Sequence, residues 1–305
     1  MTMYSYLSVT SGPLEVGIET AGPQDGWPVL LLHGFPYDPH SYSAVAVTLA
    51  SAGARVLVPY LRGFGPTRFT SAATQRSGQQ AAIGRDVLQL IDTLSLKAPI
   101  VVGFDWGGRA ACVAAALSPG HIGGVVALGG DSIQDIASSS EPAPPWDENL
   151  DWYQYYFHGE RGRAGLTRYR RELAMQLWSE WSPERAISGA DFERAAGSFD
   201  NPDFVEVVIH SYRHRFGLAP GAPEYDEDEH LLAQLPTIDV PAIVIDPTQD
   251  PMITPRTRDE HTARFTRLID HRLSASGHNQ PFDAPLDVAL AVQDLHRAIV
   301  EPEPS

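Results

Sequence analysis

The sequence predicts an α/β fold, a mostly parallel central sheet flanked by helices and interrupted by a helical insertion. Three observations predict it. Short apolar runs of strand length alternate with longer segments of helical period along the first 131 residues. The alternation stops between about 132 and 236, and it resumes at Pro241.

The strands are read from runs too apolar to have a wet face: V-L-L-L at 29–32, A-R-V-L-V at 54–58, P-I-V-V-G at 99–103, G-V-V-A-L at 124–128 and P-A-I-V-I-D at 241–246, with a last one at 268–273. Residues 4–9 and 14–20 read as an opening antiparallel hairpin around Ser11-Gly12-Pro13. Helices expected over 41–52, 78–95, 106–118 and 285–299 would cover both faces of the parallel strands.

The interrupting stretch is rich in aromatic and charged residues, as in W-Y-Q-Y-Y-F, R-Y-R-R-E-L-A-M-Q-L-W and V-V-I-H-S-Y-R-H-R-F. It predicts a helical cap over 132–236, laid on a core made of 1–131 and 237–305. A Ser/Pro-rich linker at 138–145 leads into it. The acidic run P-E-Y-D-E-D-E at 223–229 reads as a solvated loop, since its carboxylates lack the spacing and turn glycine of a calcium loop.

At 305 residues the chain is long enough for one large core with such an insertion. Its 43% apolar and 20% charged content is that of a folded globular protein. The formal charge of −16 disfavours nucleic acid, anionic membrane surfaces and strongly anionic substrates. No apolar run reaches the ~20 residues of a membrane span, and the first residues do not read as a secretory signal. Cys112, the single cysteine, permits no intrachain disulfide, so a cytoplasmic location is expected. In A-A-C-V-A-A-A-L it reads as a small buried residue. A homodimer is expected only on the general prevalence of such assemblies.

The strongest local signal is G-F-D-W-G-G at 103–108, between an apolar strand and an Ala-rich helix. Gly103 and Gly107 allow the sharp strand-to-helix turn of a nucleophile elbow, which thrusts Asp105 out above the sheet. A carboxylate there is ionised at neutral pH without help and suits displacement at saturated carbon. The plainer alternative is that Asp105 only caps the following helix. H-G-F-P at 33–36 follows a strand where a second oxyanion donor belongs, so the N–H groups of Phe35 and Trp106 are candidates for an oxyanion hole, and the tight turn suits a cis bond before Pro36. Asp250 and His278 follow the last two strands, giving the chain order nucleophile, acid, histidine of the α/β-hydrolase triad. Asp250 is preferred as the acid that orients His278, the general base; Asp131 is its rival.

H-G-F-P, Y-L-R-G-F-G-P-T at 60–67, D-W-G-G-R and W-Y-Q-Y-Y-F together resemble the epoxide hydrolase branch of the α/β-hydrolase superfamily over residues 15–300. The resemblance implies an α/β-hydrolase fold with a cap and hydrolysis of an epoxide to a vicinal diol through an ester on Asp105. It further implies that Tyr153 and Tyr212 hydrogen-bond the epoxide oxygen. Otherwise these two residues are aromatics packing the cap on the core. No metal or organic cofactor is expected, since no spaced Cys/His cluster or phosphate-binding loop is present. Phe104 stands where His is frequent in the family and is expected to pack. Trp106, Trp152, Phe157, Trp178 and Trp181 are candidate substrate contacts, and with Trp146, Tyr155 and Tyr156 they suggest a small apolar or aromatic epoxide.

A haloalkane dehalogenase using the same aspartate is the nearest rival, with Trp106 facing the halide; such enzymes usually carry Asn where Phe35 stands. A fluoroacetate dehalogenase would need an arginine pair, and only Arg109 is apparent at the motif. An ester or lactone hydrolase and a non-catalytic binding member of the fold are further alternatives.

Overall fold

The computed structural model describes residues 5–185 and 187–301. Over these the chain builds one nine-stranded sheet, in the order β1-β2-β4-β3-β6-β7-β8-β9 with β5 paired to β2. The strands are β1 Ser5–Ser11, β2 Leu14–Ala21, β3 Trp27–Leu32, β4 Ala54–Pro59, β5 Arg68–Phe69, β6 Ile100–Phe104, β7 Gly124–Leu128, β8 Ile238–Pro247 and β9 Phe265–Ser274. β1 and β2 form the expected antiparallel hairpin, and β2 pairs antiparallel with β4. From β4 onward, neighbours are parallel. Residue 4 of the predicted first strand lies outside the described residues.

β3, β6 and β7 are covered on both faces, which is why their sequences run apolar without alternation: Val29 to Leu32, Val101, Val102 and Val125 to Leu128 are all buried. The covering helices are α1 Ser43–Ser51, α2 Gln80–Thr93 and α3 Asp105–Leu117 in the first half. Between β7 and β8 the chain forms α4 Pro145–Leu150, α5 Trp152–Tyr156, α6 Glu160–Trp181, α7 Gly189–Ala196, α8 Phe204–His214 and α9 Asp226–Leu232. The core then closes with α10 Arg258–Thr262, α11 Gln280–Asp283 and α12 Pro285–Val300.

Two readings of the sequence need correction here. Residues 223–229 are not a solvated loop: they form a short 3₁₀ turn and most of α9. Asp228 pairs with Arg85 of α2, and Glu229 accepts from the backbone of Ala81 and the side chains of Gln79 and Gln80. These partners lie about 150 residues upstream, which hides the neutralisation from any local reading. The strand expected at 241–246 begins earlier, at Ile238, and β9 begins at Phe265 instead of 268.

Cys112 is fully buried within α3. No helix of the described residues is long and apolar enough to cross a membrane.

Candidate active site

β6 ends at Phe104 and α3 begins at Asp105, whose φ of +50° puts an L-residue in the left-handed region. That conformation is costly, and it persists only where surrounding structure enforces it. The enforcement is close packing of backbone: a Cβ on Gly107 would stand 2.0 Å from the carbonyl oxygen of Leu32. Gly34 meets the nucleophile candidate from the other side, since a Cβ there would lie 2.6 Å from that of Asp105. The Asp105 carboxylate does not cap α3, as the plainer reading held; its Oδ1 accepts from the Phe35 amide at 2.7 Å. The Phe35–Pro36 bond is cis. The Trp106 N–H is a first-turn amide, which the helix itself leaves unused.

His278 sits in the loop after β9 with Nε2 3.7 Å from Asp105 Oδ2 and Nδ1 2.7 Å from Asp250 Oδ2. The other oxygen of Asp250 accepts from the Met252 amide at 2.8 Å, which fixes the carboxylate that orients the ring. Asp131 is engaged elsewhere, with Arg264 at 2.6 Å and the amide of Ile133. Burial works against charge on His278, but the flanking carboxylates Asp250 and Asp105 outweigh it and push the imidazole up to about 10. Burial likewise works against the Asp105 charge; His278, Arg109 and the Phe35 amide overcome it and hold the carboxyl below its ordinary value. A second histidine, His33, plays a structural part. Its Nε2 accepts from the Leu61 amide, and burial keeps it neutral by lowering its pKa to about 4.

Tyr153 of α5 and Tyr212 of α8 are both buried, with ring centroids 5.3 Å apart. Both phenols are raised by burial first, and the Asp105 charge adds to that, so they stand within its field. The Tyr212 hydroxyl, Trp106 Nε1 and His278 Nε2 are buried polar atoms with no well-formed hydrogen bond among the described residues, although Tyr212 lies close to Trp106 and Tyr153. Unpaired buried polar atoms are rare in folded proteins, because each costs about 1–3 kcal/mol. These three lie by Asp105: Trp106 follows it in the chain, His278 faces it across 3.7 Å, and Tyr212 packs on Trp106.

The remaining predicted contacts divide. Phe157 packs edge-on against Phe35, and Trp181 lies 4.9 Å from the His278 ring and 5.2 Å from Tyr153. Trp178 stacks on Tyr37, and its indole donates to the carbonyl of Pro36 at 2.6 Å, so it braces the H-G-F-P turn. Trp152 is partly exposed and packs on Tyr153 and Tyr156. Trp146 and Tyr155 are exposed and contribute no wall to the site, contrary to the reading of them as part of an aromatic lining. Phe104 packs, touching Tyr37, Tyr42 and His278.

Two features escaped the sequence. Arg215, just past α8, stands with its guanidinium 4.3 Å from the Tyr212 ring centre. Asp246, His261 and His271 form a cluster with spacing suited to a metal ion. Its carboxylate Oδ2 meets both imidazoles and accepts from the Arg256 amide, while Asp246 Oδ1 and His261 Nδ1 are buried without a hydrogen-bond partner among the described residues. No spacing in the sequence brings either feature together.

A family model described as the alpha/beta hydrolase fold matches residues 28–285. The chain belongs to the α/β hydrolase fold family. A candidate epoxide hydrolase of known structure from Klebsiella pneumoniae subsp. pneumoniae is 40% identical over 96% of this chain and 97% of its own, with a TM-score of 0.92. Epoxide hydrolase 3 of Siraitia grosvenorii is 32% identical over 49% of this chain and 45% of its own length. A haloalkane dehalogenase of Mycolicibacterium paratuberculosis is 35% identical over 41% of this chain and 42% of its own. The chain spans less than half the length of these two curated relatives.

Proposed function

We propose that this chain is an epoxide hydrolase that works through an ester on Asp105. The observation that supports the reading is the unpartnered Tyr212 hydroxyl, with Tyr153 beside it, near a carboxylate whose Oδ1 the Phe35 N–H already holds. In this scheme Asp105 Oδ2 attacks one ring carbon, the C–O bond breaks, and a phenol proton passes to the departing oxygen. The ring needs such a donor, because an alkoxide is a very poor leaving group.

Ester formation removes the charge on Asp105 and with it one of the two carboxylates that keep His278 protonated. The His278 proton returns to the phenolate, the neutral Nε2 then takes a proton from water, the hydroxide adds to the ester carbonyl, and the oxyanion forms on the oxygen that the amides of Phe35 and Trp106 receive. Collapse breaks the ester C–O bond, the departing alkoxide takes the acid proton left on Asp105, and the diol leaves with Asp105 ionised and His278 protonated again. The helices between β7 and β8, roughly 132–236, act as the cap that supplies both tyrosines and excludes water.

Single turnover of styrene oxide in oxygen-18 water tests the route. Label incorporated into the Asp105 carboxylate is expected, and diol formed with no label in that peptide rejects it. A second reading, haloalkane dehalogenation, has the unpartnered Trp106 Nε1 in its favour as a halide donor. Halide released from 1-bromobutane with no diol from any epoxide would select it.

A further inference from the structure

At the β8–β9 edge of the sheet, three side chains of metal-ligand type converge on one face. Val244 pairs with His271, and Asp246 with Leu273. Side chains two apart along a strand share a face, so Asp246 and His271 are diagonal neighbours on it. α10 brings the third group. A capping box fixes its start, where the Thr257 hydroxyl accepts from the Glu260 amide and the Glu260 carboxylate accepts from the Thr257 amide. One turn later His261 meets the strands. Gly130 makes room for that ring, since a Cβ there would stand 2.8 Å from His261 Cε1.

The ligand atoms, one from each residue, all lie within 4.8 Å of one another. Asp246 Oδ2 is 2.8 Å from His261 Nε2 and 3.3 Å from His271 Nε2. Tetrahedral zinc, with bonds of about 2.0–2.2 Å to nitrogen and oxygen, holds its ligand atoms roughly 3.3–3.6 Å apart. Hydrogen bonding leaves the cluster incomplete. Asp246 and His261 are 1% and 0% exposed, yet Asp246 Oδ1 and His261 Nδ1 have no hydrogen-bond partner among the described residues. Two other largely buried carboxylates, Asp86 and Asp131, are each held by an arginine, Arg62 and Arg264. The ion partners of Asp246 among the described residues are the two imidazoles. An imidazole supplies countercharge only as a protonated ring, whereas a divalent cation supplies it to the carboxylate and takes both rings as neutral ligands.

We infer that Asp246, His261 and His271 form a zinc site apart from the reaction centre. Two imidazoles and one carboxylate suit zinc better than the harder magnesium or calcium, which take oxygen ligands. The His271 side chain is 13% exposed, which gives the ion a way in from solvent and leaves the fourth position to water. The role is structural. Asp246 Oδ2 also accepts from the Arg256 amide, so the ion fastens both ends of the loop 247–257, and that loop carries Asp250. The histidines stand 15 and 25 residues beyond Asp246, a separation that matches no short metal motif and hid the site from the sequence. The inference does not rest on the epoxide reading, since none of the three residues takes part in the proposed reaction.

Calorimetric titration of the chelator-stripped protein with zinc tests the site, with the cobalt(II) absorption spectrum and Tm as further readouts. One equivalent is expected to bind and to raise the Tm by about 5 °C at free zinc about 100 times Kd. His261→Gln and His271→Gln should each weaken binding by more than the roughly 10- to 100-fold that loss of an outer-shell partner costs, and should abolish the rise in Tm. His271 is only partly buried, so its variant keeps the test open if His261→Gln fails to fold. His271→Cys should retain the ion and add a thiolate-to-cobalt charge-transfer band, which a purely hydrogen-bonding cluster would not produce. The net charge of −16 attracts cations generally, so His121→Gln, at an exposed histidine, is the control and should leave binding unchanged. Wild type that binds no zinc overturns the site. Equal affinity in wild type and His271→Gln assigns the ion to other groups and overturns it as well.

Discussion

Asp105 Oδ2 and His278 Nε2 face each other across 3.7 Å, too far for a direct hydrogen bond and close enough for each charge to stabilise the other. With Asp250 bonded to the far side of the ring, the resting histidine is a cation held between two anions. A protonated imidazole cannot be a base, so in the proposed scheme the same geometry that steadies the Asp105 charge withholds the base until Asp105 has lost it.

Asp105→Asn imitates that loss. The His278 pKa, about 10 in the unmodified protein, is expected to fall in the variant, because Asp250 alone then opposes the burial cost. Titration of the imidazole resonances by NMR measures it. An unchanged midpoint would show that Asp105 does not control the proton.

The linkage has a sign that stability measurements can read. His278 has a folded pKa above its ordinary 6.5, so its contribution is complete below pH 6.5 and is lost as pH climbs towards about 10. Asp105 is lowered below its ordinary 3.8, so its contribution is complete above that pH and is lost as acid titrates the folded carboxyl. Urea unfolding of wild type should therefore weaken from pH 7 to pH 10 more steeply than that of His278→Gln. Parallel curves for the two proteins would remove His278 from the linkage.

His278→Gln keeps a neutral polar side chain in place and removes the base. Ring opening needs only Asp105 and the phenols, so a stoichiometric adduct on the Asp105 peptide is expected by mass spectrometry after incubation with a reactive epoxide, with steady-state turnover reduced by about 10² or more. Turnover at the wild-type rate with no adduct would mean that no ester lies on the path.

The sequence made the candidate catalytic strip legible because each of its parts is a short local pattern. Gly103 to Gly108 can make a tight turn after a strand and before a helix whatever the rest of the chain does, and the structure shows the turn with Asp105 at positive φ. Strands buried on both faces were equally plain, as at Val125 to Leu128, whose every residue is apolar. Ile238 to Val240 were lost because Asp239 and the following Pro241 break the apolar run, although the chain is already paired with β9 there. Residues 226–229 read as a loop because charge looks like solvent exposure until Arg85 and Gln79 are folded against it.

In the proposed scheme Tyr212 and Tyr153 share the stabilisation of the opening ring. Tyr212→Phe and Tyr153→Phe should each slow ester formation by about 10² to 10⁴ in rapid-quench experiments, the range typical of a positioned proton donor. Hydrolysis of an ester already formed should change much less, since neither phenol stands at the Asp105 carbonyl oxygen that Phe35 holds. Equal slowing of both steps would point to a packing defect.

Trp178 offers a test of how α6 supports the proposed oxyanion site. Its indole N–H donates to the Pro36 carbonyl, one residue beyond the Phe35 amide that holds Asp105 Oδ1. Trp178→Phe keeps an aromatic ring against Tyr37 but leaves that buried carbonyl without its donor, at a cost of about 1–3 kcal/mol in urea unfolding. The partly exposed Trp152 makes a long bond to Glu180, at 3.4 Å, and Trp152→Phe should cost no more than about 0.5 kcal/mol. If the Pro36 turn positions the oxyanion donor, Trp178→Phe must also slow ester hydrolysis more than ring opening, because the oxygen held by the Phe35 N–H loses charge in the first step and regains it in the second. A variant that loses stability while keeping the ratio of the two steps would confine Trp178 to packing.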